Sequence, residues 1–222
     1  MMRASTTFLC WVVTLAFGQS TFAQQSGGLA VADKVAVDLY AESLCPFCAR
    51  FTQQSLGPLF QNGLSDIIDL EVVMYGNAHN DSQGPICQHG PQECALNKII
   101  NCAIDLNPGQ NKWFPYLECV EAGISKGVAV GKSCADQLDI PYEPIQQCTE
   151  GAHGDELIVS AAKRTAALRP AHQYVPWVLV NDIPLGDAAS SLPTIICAAY
   201  EGKRPNVCFQ EPATSDSSME MT

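Results

Sequence analysis

The chain has 222 residues, 47% of them hydrophobic and 16% charged, which is enough apolar mass for a packed core and rules out wholesale disorder. Twelve Lys and Arg against 23 Asp and Glu give a formal charge of −11. That balance, with no basic cluster, argues against nucleic acid, whose affinity comes largely from phosphate neutralisation, and against a polybasic hold on anionic lipid.

Taken in chain order, the sequence opens like a secretory signal. Arg3 supplies a positive n-region, residues 8–17 (FLCWVVTLAF) form an apolar run, and Thr21-Phe22-Ala23 sets small residues where a signal peptidase reads. Residues 1–23 are therefore expected to be cut away. The run is too short for a bilayer, which needs about 20 apolar residues, and no later stretch comes close, so no membrane anchor is expected. Cleavage removes Cys10 and leaves ten of the 11 cysteines. An even number bound for an oxidising compartment suggests a disulfide framework.

Residues 24–33 are Gly-rich and polar, a loose segment. Residues 34–40 (KVAVDLY) alternate apolar and polar and read as a strand. After a short connection, residues 47–60 read as a helix ending near Asn62-Gly63, and residues 67–75 (IIDLEVVMY) as a second strand. Strand–helix–strand of this length implies a right-handed crossover and parallel pairing. Asn80-Asp81-Ser82, in polar loop sequence, is a glycosylation sequon, with Asn80 the acceptor. From residue 76 to about 170 the chain reads as helix and loop, with helices at 93–106, 113–122, 132–138 and 155–168, and six of the ten cysteines fall there. Residues 175–180 (VPWVLV) read as a strand, Asn181-Asp182 as a turn, 183–185 as a partner strand and 190–200 as a last helix. The tail 210–222 is polar and expected to be disordered. The order β-α-β, helical block, β-β-α is that of a single α/β domain over 34–209, a thioredoxin-like fold with a disulfide-rich helical insertion at about 80–170.

Cys45-Pro46-Phe47-Cys48 falls where the first strand hands over to the first helix. The N–H groups of a helix's first turn are unpaired and carry partial positive charge, so a thiolate there is stabilised and its pKa falls. Pro46 suits that turn because the N–H it lacks had no intrahelical partner. The spacing keeps the sulfurs close enough to bridge and unbridge with little backbone movement. Cys45, the more exposed thiol, is expected to attack a substrate disulfide, and Cys48, one turn inside, to resolve the mixed disulfide. A merely structural 45–48 disulfide would close almost no loop. A zinc knuckle would want a second close pair, and the other cysteines contain no C-x-x-C, so no metal is expected. Pro176, in Val175-Pro176-Trp177, fits the start of a strand or a cis bend.

Residues 87–102 read CQHGPQECALNKIINC. This is similar to the signature C-Q-H-G-x-x-E-C-x-x-N-x-x-x-x-C of the gamma-interferon-inducible lysosomal thiol reductase family, matched at Cys87, Gln88, His89, Gly90, Glu93, Cys94, Asn97 and Cys102. The resemblance runs from about Val35 to Cys208. It implies a soluble glycoprotein, trimmed at its ends, that reduces disulfides of unfolding proteins in endosomes or lysosomes. It also implies that the Pro176 loop lies against the C-x-x-C pair and holds extended substrate backbone.

Cys94 and Cys102 are eight residues apart on one expected helix, about 12 Å between Cα atoms, too far to bond each other. Each must reach another segment, with Cys87, Cys119, Cys134 and Cys148 as candidates, while Cys197 and Cys208 are expected to pair. Eight cysteines allow about 105 connectivities, and sequence does not choose. His89 and Glu93 are expected to cap structure rather than tune the site, Gly90 to supply an unusual backbone conformation, and His79, His153 and His172 to lie at the surface. At pH 5 an ordinary thiol is about one part in 3,000 thiolate, and a pKa near ~5 would need about 4.8 kcal/mol of stabilisation. A helix N-terminus gives ~2 kcal/mol at best, so other donors must surround Cys45. No bound cofactor is expected; electrons would come from a small thiol or another external reductant, and the partners would be disulfide-containing proteins. The same motif also supports an oxidase or isomerase of the secretory pathway, and a non-catalytic disulfide-stapled binding protein is the rival outside enzymology. Secretion is the alternative to a lysosomal or endosomal site.

Overall fold

A computed structural model describes residues 32–82 and 84–210. The signal segment, most of the 24–33 segment and the tail beyond Gln210 lie outside the described residues. Strand β1 (Val35–Ala41) pairs in parallel with β2 (Ile68–Met74), Val35 opposite Ile68 and Ala41 opposite Met74. Between them run α1 (Pro46–Phe51), a π-helical stretch Thr52–Leu56 and α2 (Gly57–Gln61). The single helix read from the sequence is thus broken. Pro58 has no N–H for the carbonyl of Gln54 and its ring crowds that carbonyl, so the helix widens there.

The chain next builds what the periodicity did not show, a hairpin of β3 (His79–Asp81) and β4 (Gly84–Ile86). Strand β3 is polar and β4 reads Gly-Pro-Ile, both are mostly exposed, and no apolar alternation marks strands this short. Helices α3 (Pro91–Leu106), α4 (Gln110–Ala122), α5 (Ala129–Gln137), α6 (Tyr142–Glu150) and α7 (Ala152–Ala167) follow. Helix α6 also escaped the sequence reading. Pro141 and Pro144 look like breakers, but Pro144 sits in the first turn, where a missing N–H costs nothing. The chain returns through β5 (Trp177–Val180), antiparallel to β1, then β6 (Ile183–Pro184) and α8 (Leu192–Ala199). The sheet order is β2-β1-β5-β6.

Alternation along the strands divides the core. Val35, Val37 and Leu39 face Leu56, Leu59, Ile100 and Leu117, while Tyr40, Val73, Trp177 and Leu179 face Ala161 and Leu168. Four disulfides tie the insertion and the C-terminus: Cys102–Cys148 joins α3 to α6, Cys119–Cys134 joins α4 to α5, Cys87–Cys94 closes the approach to α3, and Cys197–Cys208 anchors the chain after α8. Cys94 and Cys102, on one unbroken helix, find their partners elsewhere. Among the described residues no helix is long and apolar enough to cross a membrane.

Candidate active site

Two cysteines among the described residues are free, Cys45 and Cys48. Cys45 is the N-cap of α1, and its sulfur accepts from the Cys48 N–H at 3.5 Å. Pro46 takes the first helical position. Both sulfurs lie at the C-terminal end of β1, where the chain must leave the sheet. Cys45 keeps 5% of its surface exposed and Cys48 none, the order expected of an attacking and a resolving thiol. Phe47, between them, is 63% exposed, with the Arg50 guanidinium 6.0 Å from its ring centre. Tyr40 stands opposite Trp177 in the β1–β5 register, so Pro176, one residue earlier, reaches the end of β1 where the loop to Cys45 begins. The Val175–Pro176 peptide is cis.

The electrostatics split the two thiols. The Cys45 pKa is lowered to about 6, first by the hydrogen bond from the Cys48 thiol, then by the N–H groups of Cys48 and Phe47 and by the charge of His89, against the effect of burial. Cys48 is driven the other way by the same shared hydrogen bond and by deeper burial. The helix terminus is therefore one donor set among several.

The rest comes from the segment before α3. His89 Nδ1 is 2.8 Å from Glu93 Oε2 and 3.5 Å from Glu42 Oε1, and the His89 N–H donates to Glu93 Oε2 at 2.6 Å. The Ser43 N–H donates to Asn97 Oδ1 at 2.8 Å, and the Ser43 hydroxyl to the Glu93 carbonyl at 3.2 Å. The Asn77 N–H donates to Glu42 Oε2 at 2.7 Å, and the Asn77 amide to Gln88 Oε1 at 2.6 Å. Gln88, His89, Glu93 and Asn97 thus fasten the Glu42–Ser43 loop that delivers Cys45. Gly90 turns at φ +84, and the Cys87–Cys94 disulfide holds the turn. Gly76, at φ +59, must lack a side chain because Glu42 packs where its Cβ would stand. His89 and Glu93 therefore cap structure, as the sequence suggests, and His89 also acts on the Cys45 charge.

Glu42 is fully buried, and burial, chiefly, pushes its pKa up to about 7; the Asn77 N–H works against this, and the charges of Glu93 and Cys45 add to it. The ligand atoms of Glu42, His89 and Glu93 lie within 4.8 Å of one another, close enough to chelate a cation; His89 Nδ1 hydrogen-bonds Glu93 alone, and Glu42 Oε1, 3.5 Å away, has no hydrogen-bond partner. Glu121 on α4, 2% exposed, has neither carboxylate oxygen hydrogen-bonded. Sequence reasoning missed both acids. Glu42 could have been suspected from its place three residues before Cys45, whereas Glu121, beside Glu118 in an ordinary amphipathic helix, carries no signal. Asn80 is exposed on β3, His79 is exposed beside it, and His153 is exposed and bonded to Asp105 at 2.8 Å. His172 is half-buried rather than at the surface, and its Nδ1 is without a partner.

A family model described as gamma interferon inducible lysosomal thiol reductase matches residues 36–138. A gamma-interferon-responsive lysosomal thiol protein of Arabidopsis thaliana is 36% identical over 226 residues, covering 98% of this chain and 92% of that one. A gamma-interferon-inducible lysosomal thiol reductase of Carassius auratus is 38% identical over 190 residues, covering 81% and 74%. In fold the chain is similar to MdbA, a thiol-disulfide oxidoreductase from Corynebacterium diphtheriae (TM-score 0.54, 15% identity, covering 76% and 86%). It is also similar to the oxidoreductase DsbA from Xylella fastidiosa (TM-score 0.51, 13% identity, covering 75% and 87%), and these two likenesses concern the fold alone. Sequence identity spread over most of the chain, together with the signature and the free pair it surrounds, places this chain in the gamma-interferon-inducible lysosomal thiol reductase family of thiol-disulfide oxidoreductases.

Proposed function

We propose that the chain reduces protein disulfides in an acidic endosomal or lysosomal compartment, with Cys45 as nucleophile and Cys48 as resolving thiol. The Cys45 thiolate attacks one sulfur of a substrate cystine and expels the other as a thiol. Cys48 then attacks Cys45 Sγ, releasing the second substrate thiol and leaving a Cys45–Cys48 disulfide. A small external thiol returns the pair to the dithiol, and no bound cofactor takes part. Pro176, at the rim of the site, is given the task of holding the extended substrate backbone, and Asn80 that of carrying a glycan.

One observation carries the reading. Among the described residues, which hold four disulfides, the two free cysteines sit at a helix N-terminus, where the Cys48 N–H donates to the Cys45 sulfur at 3.5 Å and the Cys45 pKa is lowered to about 6. At pH 5 that leaves roughly one tenth of Cys45 as thiolate, on the order of 300-fold more than an ordinary thiol. Reactivity of this kind supports work in acid. The same observation favours a second reading, in which the enzyme oxidises, because a stabilised thiolate also stabilises the reduced form and raises the potential.

The test is insulin reduction with excess small thiol at pH 4.5 and pH 7, comparing wild type with Cys45→Ser and Cys48→Ser. Turnover at pH 4.5 that vanishes in both variants, with Cys48→Ser trapping a mixed disulfide, is expected. Turnover only near pH 7 would move the working compartment out of the lysosome. Wild-type turnover no better than that of the variants would end the enzymatic reading of this pair. Equilibration against glutathione decides the direction, because at a ratio where a low-potential reductase is held as disulfide a high-potential oxidase is held as dithiol.

A further inference from the structure

Cys48 has to lose a proton when it resolves the mixed disulfide and regain one when the enzyme is reduced again, and burial closes it to solvent. Glu121 sits on α4, a helix of the insertion that packs against α1, the helix carrying Cys48. It is 2% exposed, and both its oxygens are buried without a hydrogen-bond partner. A carboxyl group left in that condition is a cost to the fold, since nothing on the protein side compensates its dehydration. Its electrostatic neighbours are the sulfurs themselves: the Cys45 charge acts on Glu121, and Glu121 acts on Cys48. Glu118, one turn earlier on α4, lies over Gly57 instead, and Glu42 and His89 act on Cys45 from the loop before α1 and the segment before α3.

Building on the reading of Cys45 and Cys48 given above, we infer that Glu121 is the proton carrier of Cys48. In the resolving step the Cys48 S–H proton passes to the Glu121 carboxylate, and the Cys48 sulfur bonds to Cys45 Sγ. The bond from Cys45 to the substrate breaks, and its electron pair leaves on the substrate sulfur, which takes a proton from solvent. In the return step a small thiolate attacks Cys45 Sγ, the Cys45–Cys48 bond breaks toward Cys48, and Glu121 gives that sulfur its proton back. A second small thiolate then frees Cys45 and leaves as the oxidised small disulfide. The timing suits the geometry. Burial is the larger obstacle to ionising Glu121, and forming the mixed disulfide removes the smaller one, the Cys45 charge, at the moment Cys48 needs a base.

The experiment mixes the reduced full chain with a cystine peptide, quenches with acid, and follows the lifetime of the Cys45 mixed disulfide by mass spectrometry from pH 5 to pH 9. In wild type the resolving rate is expected to climb with pH and level off once Glu121 is ionised. In Glu121→Gln it is expected to be on the order of 100-fold slower at pH 7, to climb without levelling, and to leave Cys45 alkylation within a few-fold of wild type. Glu121→Asp, which keeps the carboxyl, is expected to restore the plateau. A Glu121→Gln chain that resolves at the wild-type rate with the wild-type profile overturns the inference. Infrared difference spectra of the wild-type dithiol and disulfide forms need no variant: a buried carboxylic-acid band that changes with redox state supports the role, and an unchanged band sinks it. If Cys48→Ser traps no mixed disulfide, the pair reading itself has failed, a result separate from either outcome at Glu121.

Discussion

At the scale of the residue, the chemistry depends on a division of labour between two identical side chains. The largest influence on Cys45 is the Cys48 thiol, ahead of the backbone N–H groups and the His89 charge. Cys48→Ala removes that donor, so the midpoint of Cys45 alkylation is expected to rise from about 6 toward the range of an ordinary thiol, read from iodoacetamide rates against pH. Cys48→Ser keeps a hydroxyl donor and is expected to shift it less. His89→Ala removes a more distant charge, and the thiolate fraction at pH 5 should fall roughly threefold. An unchanged profile in His89→Ala would show that His89 only holds the loop. Glu42→Gln acts in the opposite sense, because an ionised Glu42 repels the thiolate, so the midpoint of Cys45 alkylation should move down in the variant.

At the scale of the element, the signature before α3 is a clamp on the loop before α1. Ser43 is held by Asn97 and Glu93, and Glu42 by Asn77 and His89, so the Cys45 sulfur is aimed from a segment 50 residues downstream of Ser43. Leu44, at φ +65, shows how sharply the loop must bend to bring Cys45 to the N-cap. The disulfides around this clamp should separate stability from activity. Cys102–Cys148 spans 46 residues of sequence and Cys87–Cys94 only 7. Loop-closure entropy gives the first about 4 kcal/mol and the second about 2.5 kcal/mol. Replacing Cys102 and Cys148 by Ala should therefore lower the denaturation midpoint more. Replacing Cys87 and Cys94 should cost less stability and more activity at pH 4.5, because it frees the turn that carries His89. Equal loss of activity per unit of stability in both pairs would argue that the turn has no special hold on the site.

At the scale of the whole molecule, two buried acids make the fold itself sensitive to pH. Burial raises Glu42 to about 7 and Glu121 to about 8, well above their values in an unfolded chain. Between an unfolded carboxyl near ~4.5 and those values the folded state binds more protons than the unfolded one, so stability falls as pH rises through that window. Below pH 4.5 the contribution is fully present. Cys45 works in the reverse sense between about 6 and its unfolded value, which is why the measurement belongs on the oxidised protein, where it does not titrate. Thermal melts of that form are expected to show a higher midpoint at pH 5 than at pH 7.5, reflecting a stability difference on the order of a few kcal/mol. Glu121→Gln should flatten the slope, and a midpoint that rises with pH would refute the account.

The strands β1 and β2 and the helical character of the stretch between them, though not its break, were legible because apolar alternation and helical spacing are local properties of consecutive residues. So was the dithiol, since two cysteines at a strand-to-helix junction can be recognised without knowing what surrounds them. The hairpin carrying Asn80 and helix α6 were not, one because its three-residue strands are too short for an apolar alternation, the other because prolines in a first helical turn look like breaks. The disulfide pairing, the clamp from Gln88, His89, Glu93 and Asn97, and the burial of Glu42 and Glu121 belong to the tertiary structure. Each depends on which distant segments share a small volume. A pKa is likewise set by that volume, since burial and neighbouring charge, rather than position along the chain, decide which protonation state costs less.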